Sequence, residues 1–266
     1  MTDYLENYEF NTLDFYKKNH GLQLYYSWSG DIWWTEEPGK PPEKLFSILG
    51  MNATKVFLKL HPEYGEVGHR INRELGLFCH PETQEILSYW KPRDESQEVP
   101  VVHIANRLVQ GSVQAKKVVI PRGQGYVTTV KEIPLEYPHP LATDRKYFDY
   151  CPGERFKGVE YFTSHFSRPG VLEVPPAKWA RDCPWMPWMK LGYGHPARLR
   201  FETTIKRVES FEQLDSKIVK LVRDRLPIYE FAPSESDEPN MTSILYFKKH
   251  FESYVRGEVF PVEETH

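Results

Sequence analysis

The feature that most restricts the fold is a series of short segments in which apolar residues recur at every second position. Leu22-Gln23-Leu24-Tyr25-Tyr26-Ser27-Trp28 reads this way, and that period belongs to a half-buried strand rather than a helix. Strand-like runs follow at Lys44–Leu49, Thr54–Leu60, Arg70–Cys79, Glu85–Trp90, Val99–Asn106, Val118–Pro121, Gly125–Ile133 and Gly158–Phe166. Turn clusters such as Pro62-Glu63-Tyr64-Gly65 and Cys79-His80-Pro81-Glu82-Thr83 separate them. In Ala197–Val208 the alternation puts Leu199, Phe201 and Ile205 on one face and Arg198, Arg200, Glu202 and Lys206 on the other. Many short strands at regular spacing predict a barrel or a sandwich.

Two helices are expected at the end of the chain. The first, over 210–226, opens at Ser210-Phe211-Glu212-Gln213, a capping-box pattern, and Pro227 ends it. Leu214, Ile218, Leu221, Val222 and Leu226 mark its buried stripe. The second, over 241–256, follows a polar linker at Pro233–Pro239 and presents Leu245, Phe247, Phe251 and Tyr254 before Gly257. The expected fold is therefore mainly β: an antiparallel, calycin-like β-barrel with two C-terminal helices packed against it, in one domain over 1–266. Residues 167–197 interrupt the rhythm with six prolines and with Trp179, Trp185 and Trp188.

Charge removes several function classes. The formal net charge is −3, and no Lys/Arg run exceeds a pair such as Lys116–Lys117. That leaves no electrostatic footprint for nucleic acid. No apolar stretch approaches the roughly 20 residues a membrane-spanning helix needs. Met1-Thr2-Asp3-Tyr4-Leu5-Glu6-Asn7 lacks a charged-then-apolar leader pattern. Cys79, Cys151 and Cys183 are far apart, odd in number and form no Cys-x-x-Cys. A cytoplasmic location with reduced thiols is expected. A homodimer is compatible with this reading.

Several segments carry a family pattern. They are Tyr25-Tyr26-Ser27-Trp28-Ser29-Gly30 with Leu45-Phe46-Ser47-Ile48-Leu49-Gly50-Met51-Asn52, then Arg73-Glu74-Leu75-Gly76-Leu77-Phe78 and Val101-Val102-His103-Ile104-Ala105-Asn106. Trp179-Ala180-Arg181-Asp182-Cys183-Pro184-Trp185-Met186-Pro187-Trp188-Met189 is the most specific, and Asn240-Met241-Thr242-Ser243 is the last. Over roughly residues 20–256 the chain resembles the family catalogued as domain of unknown function 1838. The resemblance implies one domain and no agreed activity. A tailoring step in secondary metabolism is the role it suggests. Where that family shows Asn-Asp-Pro-Val after the central His, this chain reads Asn106-Arg107-Leu108-Val109.

Motifs for cofactors are missing. There is no His-Glu-x-x-His and no His-x-His, and the ten histidines are scattered, so no metal is expected. Gly123-Gln124-Gly125 has no following helix and reads as a hairpin turn, so no nucleotide cofactor is expected. What remains is ionisable residues within apolar strands. His103, Glu74 and His165 are the candidate acids or bases. A solvent-facing position, or a satisfied core histidine, is the bland alternative for each. His103 ranks first because its strand is the most apolar. Glu160 and His165 fall on opposite faces of one strand.

The Trp/Pro/Met segment reads either as a rigid plug or as one wall of an internal pocket into which His103 points. In the second case Trp179, Trp185, Trp188, Trp28 and Tyr126 supply aromatic surface and Arg181 orients a carbonyl or carboxylate. The function expected on this basis is a cofactor-independent isomerase or cyclase acting on a hydrophobic metabolite, a polyketide or a terpenoid. The alternatives are a non-catalytic binding protein for a hydrophobic small molecule and a structural member of an assembly.

Overall fold

The computed structural model of the chain describes residues 6–92, 97–234 and 240–261, the side chains of 109–112 excepted. The leader reading at 1–5 and most of the 233–239 linker lie outside those residues. In chain order the elements are β1 (Tyr8–Asn11), α1 (Leu13–Lys18), β2 (Gln23–Thr35), β3 (Glu43–His61), β4 (Gly65–Cys79), β5 (Tyr89–Trp90) and β6 (Val99–Pro100). Then come β7 (Ile104–Gln114), β8 (Lys117–Ile120), β9 (Tyr126–Pro138), β10 (Arg155–Ser167), β11 (Ala177–Pro184) and β12 (Arg198–Val208). Three helices close the described part: α2 (Ser216–Arg225), α3 (Ser243–Lys249) and α4 (Phe251–Val255). Among the described residues, no helix is long and apolar enough to cross a membrane.

The fold is mainly β, as the alternation predicts. Eight strands form one antiparallel sheet in the order β7-β4-β3-β2-β12-β11-β10-β9, curled into a half-barrel. Its ladder ends at β7 and β9, which are not hydrogen-bonded to each other. The two runs read separately at Lys44–Leu49 and Thr54–Leu60 are one continuous strand, β3, paired along its length with β2 and β4. Gly65, at φ +69°, makes the tight return into β4. The Pro-rich interruption hides a further strand. Ala177–Pro184 is β11, paired with β10 on one side and β12 on the other. Its prolines flank the strand or end it, so they remove few ladder bonds.

The direction of curl follows from distances across the sheet. Phe78 on β4 and Phe201 on β12 are three strands apart, which is about 14 Å on a flat sheet. Their ring centroids are 6.4 Å apart. The face carrying Phe78, Glu74, Asn52, Trp28, Phe201, Arg181 and Glu160 is therefore concave. The outer face of the β9–β12 half is open: in β12 Arg200 and Glu202 are exposed, whereas Leu199, Phe201 and Thr203 are buried. Over the β3–β4 half the outer face is covered by α2, which buries Ile218 and Val222.

The tight curl around Trp28 depends on two glycines. A Cβ on Gly50 would stand 2.1 Å from the Trp28 ring, and one on Gly76 would stand 2.6 Å from it. Neither leaves room for a methyl group, so the indole lies flat against bare backbone of β3 and β4. The C-terminal segment docks on the edge of the sheet. Met241 pairs with Arg107 at the free edge of β7, through N–H···O bonds of 2.9 and 2.8 Å. In α3 and α4, Phe247, Phe251 and Tyr254 pack on Tyr147 and Tyr150. The sequence expectation of one helix over 241–256 resolves into these two short helices, and α2 starts at Ser216 after a 3-10 turn at Phe211–Gln213.

Placing a methyl on Gly50 tests this arrangement. Gly50→Ala is expected to destabilise the fold by about 3 kcal/mol through overpacking against Trp28, with a red shift in tryptophan emission, both read in urea denaturation. A change below about 0.5 kcal/mol, the ordinary surface range, would contradict the placement of the indole.

Candidate functional site

A strand that curls inward aims alternate side chains at one small volume. On β4 this places Glu74 on the concave face two residues from Gly76. Each of its carboxylate oxygens accepts an amide N–H. Asn52 Nδ2 on β3 donates to Oε2 at 3.2 Å, and Asn106 Nδ2 on β7 donates to Oε1 at 3.0 Å. The amides are themselves held. Trp28 Nε1 donates to Asn52 Oδ1 at 2.9 Å, and Ser243 Oγ of α3 donates to Asn106 Oδ1 at 3.0 Å. The carboxyl is thus clamped from two sides.

The opposite wall supplies charge. Arg181 on β11 and Glu160 on β10 are register partners, and Arg181 Nη1 stands 3.8 Å from Glu160 Oε1. That separation is an ion pair but too long for a hydrogen bond. The guanidinium lies 5.2 Å over the Phe156 ring, and its Nε is buried without a hydrogen-bond partner. Both side chains keep about a fifth of their surface exposed, at 20% and 19%, so the cluster is open to solvent. Glu74's carboxyl is pushed above the usual carboxylate range. Burial is the main cause and the Glu160 charge adds to it, while the Asn52 and Asn106 donors and Arg181 act in the other direction. Trp179 on β11, half-buried, meets Trp28 edge-on at 6.2 Å and Phe201 at 5.6 Å. The result is a carboxyl able to hold or release a proton beside a cation with a spare donor and an aromatic floor. Among the described residues, no three His, Cys, Asp or Glu side chains are grouped as a metal site.

A family model described as a protein of unknown function (DUF1838) matches residues 21–251. The chain belongs to this family. No curated protein and no solved structure matches it. In this DUF1838 protein the segments that carried the resemblance all reach the cluster: Trp28, Gly50 and Asn52, Glu74 and Gly76, Asn106, Trp179 and Arg181, and Ser243.

The structure groups some of the sequence candidates and separates others. Glu74, Arg181, Trp179 and Trp28 come together. His103 does not join them. The last paired residues of β4 and β7 are Gly76 and Ile104, and beyond them the Phe78 N–H has no ladder partner. His103 Nδ1 accepts that N–H at 3.1 Å, and the Leu87 backbone bonds to the same ring. The imidazole is 2% exposed, and its titration is lowered to about 3, first by burial. The charge it feels is that of Arg225, in α2, rather than Glu74 or Arg181. It completes a sheet edge as a neutral core residue.

Trp185 and Trp188 are each 1% exposed and belong to the core rather than to a pocket wall. Trp188 packs against Phe46, Phe78 and Trp90, and Trp185 donates to the His195 carbonyl. His165 and Tyr126 stack edge-on at 5.8 Å on the outer face, with His165 Nδ1 3.0 Å from Thr128 Oγ1. That face is remote from Glu74. Asn52, Asn106 and Ser243, which the sequence reading did not nominate, complete the cluster, and Glu160 forms its ion pair with Arg181. The period-two pattern, which marked Glu74, could also have flagged Asn52 as a polar residue on an otherwise apolar strand. Only topology joins them to Asn106 and Ser243.

Two pH trends follow, of opposite sign. Glu74's carboxyl is raised in the folded chain, so its contribution to stability is whole below its usual 4.5 and is lost as pH rises through the folded value. The stability of wild type minus that of Glu74→Gln should therefore fall between pH 4.5 and 8, and a flat difference would contradict the raised carboxyl. His103 is depressed, so its contribution is present above 6.5 and is lost as pH falls toward about 3. His103→Ala should cost roughly 2–4 kcal/mol at pH 7, by exposing a buried N–H and leaving a cavity, and should flatten the acid limb of the stability curve. Unchanged unfolding midpoints in that variant would return His103 to a functional role.

Proposed function

We propose that the concave face carries out a cofactor-independent proton transfer, an isomerisation or cyclisation, on a hydrophobic small molecule that bears a carbonyl oxygen. The reading treats the half-barrel as a calycin-like cup with the site on its inner wall. The observation that carries it is the pairing of a clamped, raised carboxyl, Glu74, with a guanidinium that has an unused buried donor, Arg181. A carboxyl shifted upward can act as acid and as base near neutral pH, which is what proton shuttling requires. Arg181 would hold the oxygen on which negative charge develops. Trp179, Phe162 and Ile133, half-buried on the same face, would hold the apolar body of the molecule. The three cysteines are free and buried.

A carrier role is the second reading, and one observation favours it. Both Glu74 oxygens already accept an amide N–H, so the carboxyl is satisfied with no proton moved. The two readings separate experimentally. The purified chain is incubated with a panel of hydrophobic carbonyl metabolites, and products are followed by mass spectrometry. An enzyme converts a member of the panel. Its Glu74→Gln variant still binds but is slowed by roughly 10²–10⁴-fold, and Arg181→Met binds at least tenfold more weakly. Binding without conversion in wild type, equal in Glu74→Gln, would establish the carrier and reject the enzyme.

A further inference from the structure

The orientation of the two amides beside Glu74 is a decision the fold makes elsewhere. An Asn side chain can present either its oxygen or its NH2 to a neighbour, since the two ends have nearly the same shape. Facing a carboxylate, the NH2 end attracts and the oxygen end repels. Asn52 and Asn106 both present NH2, and in each case the far oxygen is occupied by a dedicated donor. We infer that Ser243 of α3 and Trp28 of β2 are positioning residues, which lock the Asn106 and Asn52 amides by donating to their carbonyl oxygens and so keep both NH2 groups on Glu74.

The two locks differ in origin. Trp28 is inside the sheet, fixed by Gly50 and Gly76. Ser243 arrives from the far end of the chain, 137 residues from Asn106. It is delivered by the Arg107–Met241 bridge on the β7 edge and by the start of α3, where the Thr242 side chain accepts from the Leu245 N–H. Docking of the C-terminal segment therefore sets the state of a carboxyl on β4. Without Ser243, the Asn106 amide is free to rotate and offer Oδ1 to Glu74, and only a protonated carboxyl can satisfy that arrangement. The charged groups that also act on Glu74 are Glu160 on β10 and Arg181 on β11, and neither contacts Ser243. This inference rests on Glu74 being the working group of the proposed site, but its test reads Glu74 itself and not turnover.

The test is a carbon-13 titration of the Glu74 side-chain carboxyl in the full chain, with the resonance assigned by its loss in Glu74→Gln. Ser243→Ala keeps the Thr242 cap, so α3 is expected to form. It should raise the Glu74 ionisation midpoint by about one unit, a tenfold change in the ionisation constant equal to 1.36 kcal/mol. Ser243→Thr, which restores the hydroxyl, should return the midpoint to the wild-type value. Trp28→Phe, which removes the other donor and keeps a ring, should shift it in the same direction and keeps the inference testable if Ser243→Ala fails to fold. An unmoved midpoint in a folded Ser243→Ala chain would overturn the inference. So would a shift that Ser243→Thr fails to reverse, since that would trace it to repacking of α3. If the proposed reaction proves absent, the titration result stands independently.

Discussion

The contact on which the rest depends is the Trp28 indole lying across Gly50 and Gly76. It has a packing consequence and a polar one. Packing the ring against bare backbone lets three neighbouring strands approach a common volume, which supports the curl that brings β4 toward β11. The same ring directs Nε1 at Asn52, and Asn52 in turn donates to Glu74. A sheet of the same strands with alanines at 50 and 76 would have to move the indole and would lose this chain of donors. The site is thus a product of curvature and not of any one strand.

Within the concavity the electrostatics are balanced rather than one-sided. Burial and the Glu160 charge favour the neutral carboxyl, whereas two amide donors and Arg181 favour the ion. Removing any one of these shifts the group without abolishing it. Burial outweighs the opposing donors, so the net effect is a raised carboxyl. His103 shows the contrasting case. Burial, helped by the Arg225 charge, holds it neutral against the opposing pull of the Leu87 backbone bond, and the ring serves as acceptor for the Phe78 N–H. An ionisable residue on an apolar strand can therefore serve the backbone as readily as a ligand.

Much of the sheet was legible in the sequence because side-chain alternation is a local signal. It located β10 and β12 within about three residues at each end, and it caught only the first half of β2 and the last two thirds of β4. It split β3 in two, since Gly50 and Asn52 break the apolar pattern at the place where Trp28 and Glu74 need them. It missed β11, because prolines at 175, 176 and 184 read as loop although they bracket the strand. Arg181, Trp179, Trp28 and Glu74 were each identifiable as candidates. Their meeting was not, because it depends on strand order and on how far the sheet curls. Ser243 is the clearest example: its segment belongs to the family pattern, but nothing local ties it to Glu74, and the edge pairing of Met241 with Arg107 carries it to Asn106. The Trp185–Trp188 pair was read as a pocket wall on the sound argument that exposed tryptophans are unfavourable. The same argument holds for their actual place in the core.

The central claim is that Glu74 is a carboxyl held between its acid and its ion. Infrared difference spectra of wild type minus Glu74→Gln, recorded across pH, address it most directly, because a protonated carboxyl and a carboxylate absorb separately. The account predicts an acid band that persists above pH 4.5, the usual midpoint for this group, and gives way to a carboxylate band on further alkalinisation. A carboxylate band already complete at pH 4.5 would contradict it.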